Sequence, residues 1–188
     1  MNTSIKEKLA QGLLELNKNQ SLESISVKNL LEYTNISKQS FYNHFLDKND
    51  LIQYIYLHYI IPEYNETKEV ESFKESLSNS LENMSKYSKF LKEALLMTGQ
   101  NNLTEYIYDH CASYDLKWHK ELYGDELPEA LRLATIYHAK ASTSMIISWI
   151  LSGTNEDIDV LCDMICHMRG LGMDDLFKDS KNKGNPYK

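Results

Sequence analysis

Apolar residues recur every three to four positions along most of the chain, which is the spacing that lines one face of an α-helix. The first such segment begins at Ser4, and Glu7 stands three residues later, as in a capping box. Apolar residues then follow at helical spacing, at Ile5, Leu9, Leu13 and Leu16. No segment alternates apolar and polar residues for long enough to predict a sheet. The pattern therefore predicts an all-α fold.

The next two predicted helices are short and separated by a tight turn, which together with the first helix predicts a three-helix helix-turn-helix head. Ser26 is the expected N-cap of the earlier one, and Ser37 caps a second over residues 38–45. Asn35 can adopt the left-handed conformation that the turn between them needs. The apolar residues expected to hold the helices together are Val27, Leu30, Leu31, Ile36, Phe41 and Phe45.

A fourth helix, capped by Asp47 and running towards Pro62, joins this head to a C-terminal helical body. Residues 63–71 are charged and polar, so we place the boundary there. The predicted domains are a helix-turn-helix head over 1–62, a helical body over 63–177 and a disordered tail over 178–188. The body is expected to contain helices over 73–96, 103–122, 129–152 and 158 to about 168.

The penultimate helix is nearly free of charge, since only Lys140 is charged between Leu133 and Asn155. A helix that is apolar nearly all round must be covered on several sides. Small residues on it allow a second helix to approach closely. Together with Ile158, Leu161, Cys162 and Ile165 on the last helix, this pattern predicts a homodimer that forms through the last two long helices, with a charge at Ile147 or Ile165 expected to disrupt it.

Composition limits the function classes. The 188 residues carry a formal charge of −7, and residues 1–50 contain six lysines and six acids, so the charge falls on the rest of the chain. A neutral head disfavours a generally basic nucleic-acid coat protein but permits a local DNA-reading patch. Three cysteines suit reduced thiols, and no apolar run of membrane-spanning length is present. We therefore expect a cytoplasmic protein without a membrane partner.

Catalytic and metal-binding patterns are weak. Cys162, Cys166 and His167 could in principle bind a metal, but buried thiols usually pack as small hydrophobic groups. No Glu-x-x-His motif, no glycine-rich phosphate loop and no nucleophilic constellation can be found. The sequence predicts no metal, no cofactor and no enzymatic activity.

Polar residues on the second short helix suit contacts to DNA. Glutamine and asparagine can pair with adenine edges, lysine prefers guanine or phosphate, and tyrosine and serine hydroxyls suit phosphate oxygens. The residues expected to face outward are Lys38, Gln39, Ser40, Tyr42, Asn43 and His44.

The segment FYNHFLDKNDLI, residues 41–52, resembles the signature of TetR/AcrR-type transcription regulators. The resemblance covers about residues 4 to 60. It implies that the outward residues above and Lys48 face DNA, and that Ser26 and Lys28 lie where the second helix meets the DNA backbone. Asn35 and Gln39 depart from the glycines usual in this family, which bears on the operator sequence more than on the fold. Residues 90–110 are similar to a branch that includes regulators of dihydroxyacetone kinase operons.

By this resemblance, the chain is expected to be a homodimeric repressor that binds a palindromic double-stranded operator and responds to a small molecule. The effector would be largely apolar or aromatic, with Lys140 and the histidines leaving room for an anionic group. Candidate ligand-binding residues are Met97, Tyr106, His110, Trp118, His138, Ser142, Met145 and Trp149. Alternatives are simple core packing of these residues, an activator or partner-controlled regulator, and a helical interaction module that binds no DNA.

Overall fold

The computed structural model describes residues 4–62, 72–177 and Asn185. These residues form helices and connecting turns, without a strand, as the sequence predicts. The head helices are α1 Ile5–Asn19, α2 Val27–Thr34, α3 Lys38–Tyr42 and α4 Lys48–Ile55, with α4 continuing as a π-helical turn over Tyr56–Ile60. The body helices are α5 Phe73–Lys86, α6 Ser88–Leu96, α7 Leu103–Tyr123, α8 Glu129–Ser152 and α9 Ile158–Phe177.

The head helices begin at the side-chain caps that the sequence predicts. At α1, the Ser4 amide donates to the Glu7 carboxylate at 2.8 Å and the Ser4 hydroxyl accepts from the Glu7 amide at 3.2 Å. Ser26, Ser37 and Asp47 cap α2, α3 and α4 in the same local manner. These caps satisfy backbone donors that a helix N-terminus leaves without partners.

The turn between α2 and α3 depends on Asn35, which has a positive φ of 53° as expected. Helix α1 packs closely on α2 because Gly12 has no side chain: a Cβ there would collide with the Cγ2 atom of Thr34. Phe41 and Phe45 are buried with ring centroids 5.9 Å apart. The helix-turn-helix is thus fixed by caps, one left-handed residue and an aromatic pair.

Three predicted helix limits are corrected. Helix α3 ends at Tyr42 rather than at 45, because the His44 amide bonds to the Phe41 carbonyl three residues back and leaves the four-residue helical ladder. The predicted helix over 73–96 is two helices, because the helical conformation is interrupted at Tyr87. Helix α9 continues to Phe177, because the buried Met173 and Phe177 extend its apolar stripe.

Helix α8 packs against α7, α6 and α9 along one stripe, at Leu131, Thr135, Ala139, Thr143, Ile147 and Ile150. Its opposite side stays exposed, including Leu133, Tyr137 and Met145. On α9, the residues expected at the dimer face lie elsewhere: Leu161, Cys162 and Ile165 are buried inside the protomer, as is Ile147 on α8. The exposed apolar residues of α9 are Val160, Met168 and Leu171.

Helix α6 and the loop after it connect the body to the head. The Glu93 carboxylate accepts from the Leu22 amide at 2.6 Å and from the Asn17 side-chain amide at 2.8 Å. The Lys89 ammonium donates to the Asn17 carbonyl at 2.6 Å. The loop after α6 also accepts from Gln53 on α4, through the Asn101 carbonyl at 2.8 Å. The head is therefore held by polar contacts at two places.

The expected domain boundary at residues 63–71 and the expected tail at 178–188 lie outside the described residues, apart from Asn185. The Asn185 side-chain amide donates to the Gly170 carbonyl at 2.7 Å. None of the helices that the structure describes is long and apolar enough to cross a membrane.

Candidate DNA-binding surface and body cavity

Helix α3 and the turn after it present most of the predicted DNA-facing side chains to solvent. Lys38, Gln39, Asn43 and His44 are exposed, and Tyr42 is 49% exposed. The Gln39 amide donates to the Asn43 side-chain oxygen at 2.9 Å, which keeps the two amides side by side. The arrangement offers paired donors and acceptors of the kind that can bind base edges.

The two predicted serines are engaged in local contacts. The Ser26 hydroxyl donates to the Asn29 side-chain oxygen and accepts from the Asn29 amide at 3.1 Å. Ser40 is half-buried, and its hydroxyl accepts from Ser37 at 3.0 Å. Lys28, by contrast, extends into solvent with only a distant pairing to Glu32 at 3.9 Å. Of these residues on and beside α2, Lys28 is the best placed to reach a phosphate.

Lys48 differs from the other predicted contacts because its ammonium points into the head. It donates to the carbonyls of Leu22 and Ile25, each at 2.8 Å, and lies 3.4 Å from the carbonyl of Glu23. Burial lowers the pKa of this amine, and the Glu23 carboxylate partly opposes that effect. Lys48 therefore fastens the loop between α1 and α2 to the start of α4.

An exposed apolar residue beside this surface was missed in the sequence. Leu46 follows the recognition segment and is 76% exposed. An apolar side chain in such a place can contact a thymine methyl group. Its position directly after Phe45, the last residue of the predicted helix over 38–45, was the signal.

The body contains a cavity of about 60 Å³ between the π-helical end of α4 and helices α5, α7, α8 and α9. The polar or ionisable groups in its wall are Ser80, His110, Cys111, Tyr114, Asp115, Ser142, Thr143 and Arg169. The Tyr56 ring and apolar side chains, including Ile61, Leu77, Ile146 and Ile165, complete the wall. The volume admits a few water molecules or a very small ligand.

An ion pair lies in the wall of the cavity. The Arg169 guanidinium donates through Nη1 to Asp115 at 2.6 Å and through Nε to the Ser142 hydroxyl at 3.0 Å. It also lies 4.7 Å from the centre of the Phe73 ring. Both charged side chains are less than a tenth exposed. A buried pair of this kind is stable only when both members are present.

Burial shifts the titration of the groups around this pair. It raises the pKa of the Asp115 carboxyl, and the neighbouring Arg169 partly offsets that rise. It lowers the pKa of His110 and His138. Burial also raises the pKa of the Cys111 thiol to about 11. At neutral pH the thiol and both imidazoles are uncharged.

His119 lies behind the cavity, fully buried among Trp118, Tyr123 and Phe177. The Thr135 hydroxyl donates its one proton to the Leu131 carbonyl at 2.7 Å, so the contact at 2.8 Å between Nδ1 of His119 and this oxygen requires Nδ1 to donate. Burial, aided by the Arg169 charge, lowers the pKa of His119 to about 4.

Two of the eight predicted ligand-binding residues, His110 and Ser142, line the cavity. Tyr106 and Trp118 lie behind its wall, where Tyr106 contacts His110 and Tyr56 and Trp118 stacks on Phe73.

The other four predicted ligand-binding residues do not line this cavity. His138 packs against the backbone of Gly172. Met97 lines a groove between α6 and the head. Met145 is exposed, and the Trp149 indole donates to the Glu156 carbonyl at 3.1 Å. Lys140 is also exposed and is not in the cavity wall, so it offers no anion site there.

Sequence reasoning missed the ion pair at the centre of the body. A signal was present on each helix: Arg169 falls on the same apolar stripe as Cys162, Ile165 and Met173, and Asp115 lies one turn from Cys111 and from His119. A charge at a position where the helical period demands an apolar residue indicates a buried partner.

Comparison with known proteins agrees with this architecture. The family model for the C-terminal region of TetR-type transcriptional regulators matches residues 71–169, more than half of the chain. The chain belongs to the TetR family of transcriptional regulators. No curated protein matches it by sequence. Among solved structures, the dihydroxyacetone kinase operon activator DhaS is similar in fold, with 16% identity and a TM-score of 0.65 over 87% of this chain and 93% of that one.

TetR-family membership makes the chain a transcriptional regulator and not an enzyme. The helices of the described residues and the similarity to DhaS confirm the predicted all-helical fold class. Within residues 4–62 and 72–177, no three His, Cys, Asp or Glu side chains are grouped as metal ligands would be. In particular, the thiols of Cys162 and Cys166 pack in the core.

Proposed function

We propose that this TetR-family protein is a ligand-responsive repressor that acts in the cytoplasm and binds a palindromic operator as a homodimer. The observation that carries the proposal is the exposed polar surface of α3, held by the Ser37 cap and the buried Phe41 and Phe45. Solvent-facing Gln39 and Asn43 are suited to base edges, and Lys28 to the phosphate backbone.

Fluorescence anisotropy with DNA from upstream of the protein's own gene tests the DNA-reading role. We expect Asn43→Ala to weaken binding to this operator, while Asn79→Ala, an exposed asparagine on α5, leaves it unchanged. The double variant Tyr42→Ala, His44→Ala should weaken it further, with helicity retained. Unchanged operator affinity in that double variant would reject the DNA-reading surface.

Salt dependence separates two kinds of lysine. Lys28→Ala should reduce the slope of log affinity against log salt by about 1 per lost phosphate contact in each subunit. Lys48→Ala should weaken operator binding through the α1–α2 loop and leave the slope unchanged, because its ammonium is bonded inside the head. A reduced slope for Lys48→Ala would instead indicate that Lys48 contacts a phosphate directly.

The exposed apolar faces of α8 and α9 support a dimer. Tyr137 is 69% exposed and Leu171 is 61% exposed, and small residues at Ala141, Ser144 and Ser148 allow close approach of a second helix pair. We expect Tyr137→Glu or Leu171→Glu to yield folded monomers by light scattering. The control Leu96→Glu removes an equally exposed leucine from α6 and should keep the dimer. A wild-type mass near 21.9 kDa at micromolar concentration would contradict this proposal.

The cavity connects to the head through α4. Tyr56 and Ile61, at the π-helical end of that helix, form part of the cavity wall. A ligand that contacts them binds one position of α4 better than another, and so shifts the population of DNA-competent heads. Effector binding should therefore lower operator affinity.

An activator is the second candidate, because the structurally similar DhaS is itself described as an operon activator. A promoter fusion in cells with and without the protein distinguishes the two. Increased reporter expression on deletion supports a repressor, and decreased expression supports an activator.

A further inference from the structure

The body cavity combines balanced charge with buried polar atoms that lack partners. Asp115 and Arg169 are the ionised groups in its wall, and they pair with each other at 2.6 Å. His110 is uncharged at neutral pH because burial lowers its pKa. A charged ligand would lose its hydration here and find its counter-charge already paired, which is unfavourable in a buried site.

Two buried polar atoms in this wall have no hydrogen-bond partner: the hydroxyl of Ser80 on α5 and Nδ1 of His110 on α7. Ser80 is only 2% exposed. The His110 ring is held between Tyr106 and Tyr114, with centroid distances of 5.8 and 6.4 Å. Buried polar groups without protein partners are rare and costly, so a ligand that hydrogen-bonds both atoms is favoured here.

The hydrogen-bonding capacity of these two atoms determines which ligand group can bind them. A serine hydroxyl can donate or accept, and an imidazole nitrogen does one or the other according to its tautomer. A ligand hydroxyl can also do both and so satisfies either atom. Leu77, Ile146 and Ile165 offer apolar surface for a short carbon skeleton. The volume of about 60 Å³ suits roughly three to five non-hydrogen atoms.

We propose that the effector of this protein is an uncharged, short-chain alcohol or diol that hydrogen-bonds Ser80 and His110, in place of the larger apolar or anionic molecule that the sequence suggested. This inference rests on the proposed role of the cavity as the effector site. So few non-hydrogen atoms can contribute only weak binding, so affinities between about ten micromolar and millimolar are expected.

The experiment compares matched small molecules by NMR, using the imidazole signals of the histidines in the full chain. 1,3-Propanediol and propionate have the same number of non-hydrogen atoms, and 1-propanol and propylammonium form a second pair. We expect saturable shifts of the His110 signals with the diol and 1-propanol, and none with the two ions. Tighter binding of propionate or propylammonium would overturn the proposal.

Two variants test the contacts. Ser80→Ala should weaken diol binding about five- to tenfold, the effect of one lost hydrogen bond. The control Ser78→Ala, on the same helix and outside the cavity wall, should leave it unchanged. His110→Phe keeps a ring of similar shape and should weaken diol binding to the same extent as Ser80→Ala. Calorimetry measures binding to this variant, because it lacks the His110 NMR signal. Diol affinity unaffected by both changes would reject this site.

Operator binding is measured on the same samples by anisotropy. If the wild-type protein binds its operator but none of the neutral probes, the ligand class is wrong and the DNA-reading role stands. If the diol binds at Ser80 and His110 while no operator binding is found, the ligand assignment stands and the proposed repressor function fails.

Discussion

Replacing Asp115 by asparagine tests how far the buried ion pair supports the body. The change keeps the size of the side chain and removes its charge, which leaves the Arg169 guanidinium buried without a carboxylate. Breaking such a pair by removing one member costs about 3–5 kcal/mol. The Ser142 hydroxyl and the Phe73 ring still contact the guanidinium, so the lower end, about 3 kcal/mol, is expected.

A loss of about 3 kcal/mol in a chain of this length lowers the melting temperature by roughly 6–12 °C. Urea unfolding followed by circular dichroism, at one fixed protein concentration, gives the free energy of unfolding. Asp163→Asn is the matched control, because its ion pair with Lys74 is 62% exposed on both sides and is screened by water, so a much smaller loss is expected. If Asp115→Asn costs no more than this control, the ion pair does not support the body as argued.

Three further changes test other parts of the molecule. The pKa of His119 is about 4 when folded and 6.5 when free, so the unfolded chain takes up the proton first as pH falls. About 3 kcal/mol of stability should therefore be lost as pH falls from 6.5 to 4. Urea titrations of the His119→Gln variant should show a flatter pH dependence of the free energy of unfolding. Gly12→Ala should destabilise the head by about 1–3 kcal/mol in urea unfolding, and adding Thr34→Ser, which removes the colliding methyl group, should restore most of it. Glu93→Gln removes a charged acceptor, so hydrogen exchange at the Leu22 amide should become about tenfold faster while the amides of α7 keep their rates.

The helix limits that the sequence predicts well are those encoded within a few residues. Ser26, Ser37 and Asp47 cap their helices through bonds to residues three positions away, and Asn35 and Gly153 end helices by their own backbone conformation. The interruption at Tyr87 has no such local signal. Phe90 and Leu91, which follow it, are buried in the core, and that packing depends on the rest of the body.

Exposure at the candidate surface could be predicted because helical spacing and the resemblance both concern one short segment. The outward residues of α3 and the turn after it are exposed as expected, apart from the half-buried Ser40. Asp115 and Arg169 stand 54 positions apart, and nothing local pairs them. The dimer face was assigned to Cys162 and Ile165, which the structure buries. Helical periodicity reveals that α9 has two apolar sides, but it does not reveal which of them the rest of the protomer covers.

The π-helical turn at Tyr56–Ile60 is equivalent to one extra residue inserted in a helix, and so it sets the rotational phase between everything before it and everything after it. One residue corresponds to about 100° of rotation around a helix axis. Shortening this turn by a single residue would therefore carry Ile60 and Ile61 away from the body while leaving the DNA-reading surface intact. The connection between head and body therefore depends on the number of residues in this turn as well as on their identity. Its length is as restricted as the identity of a buried side chain.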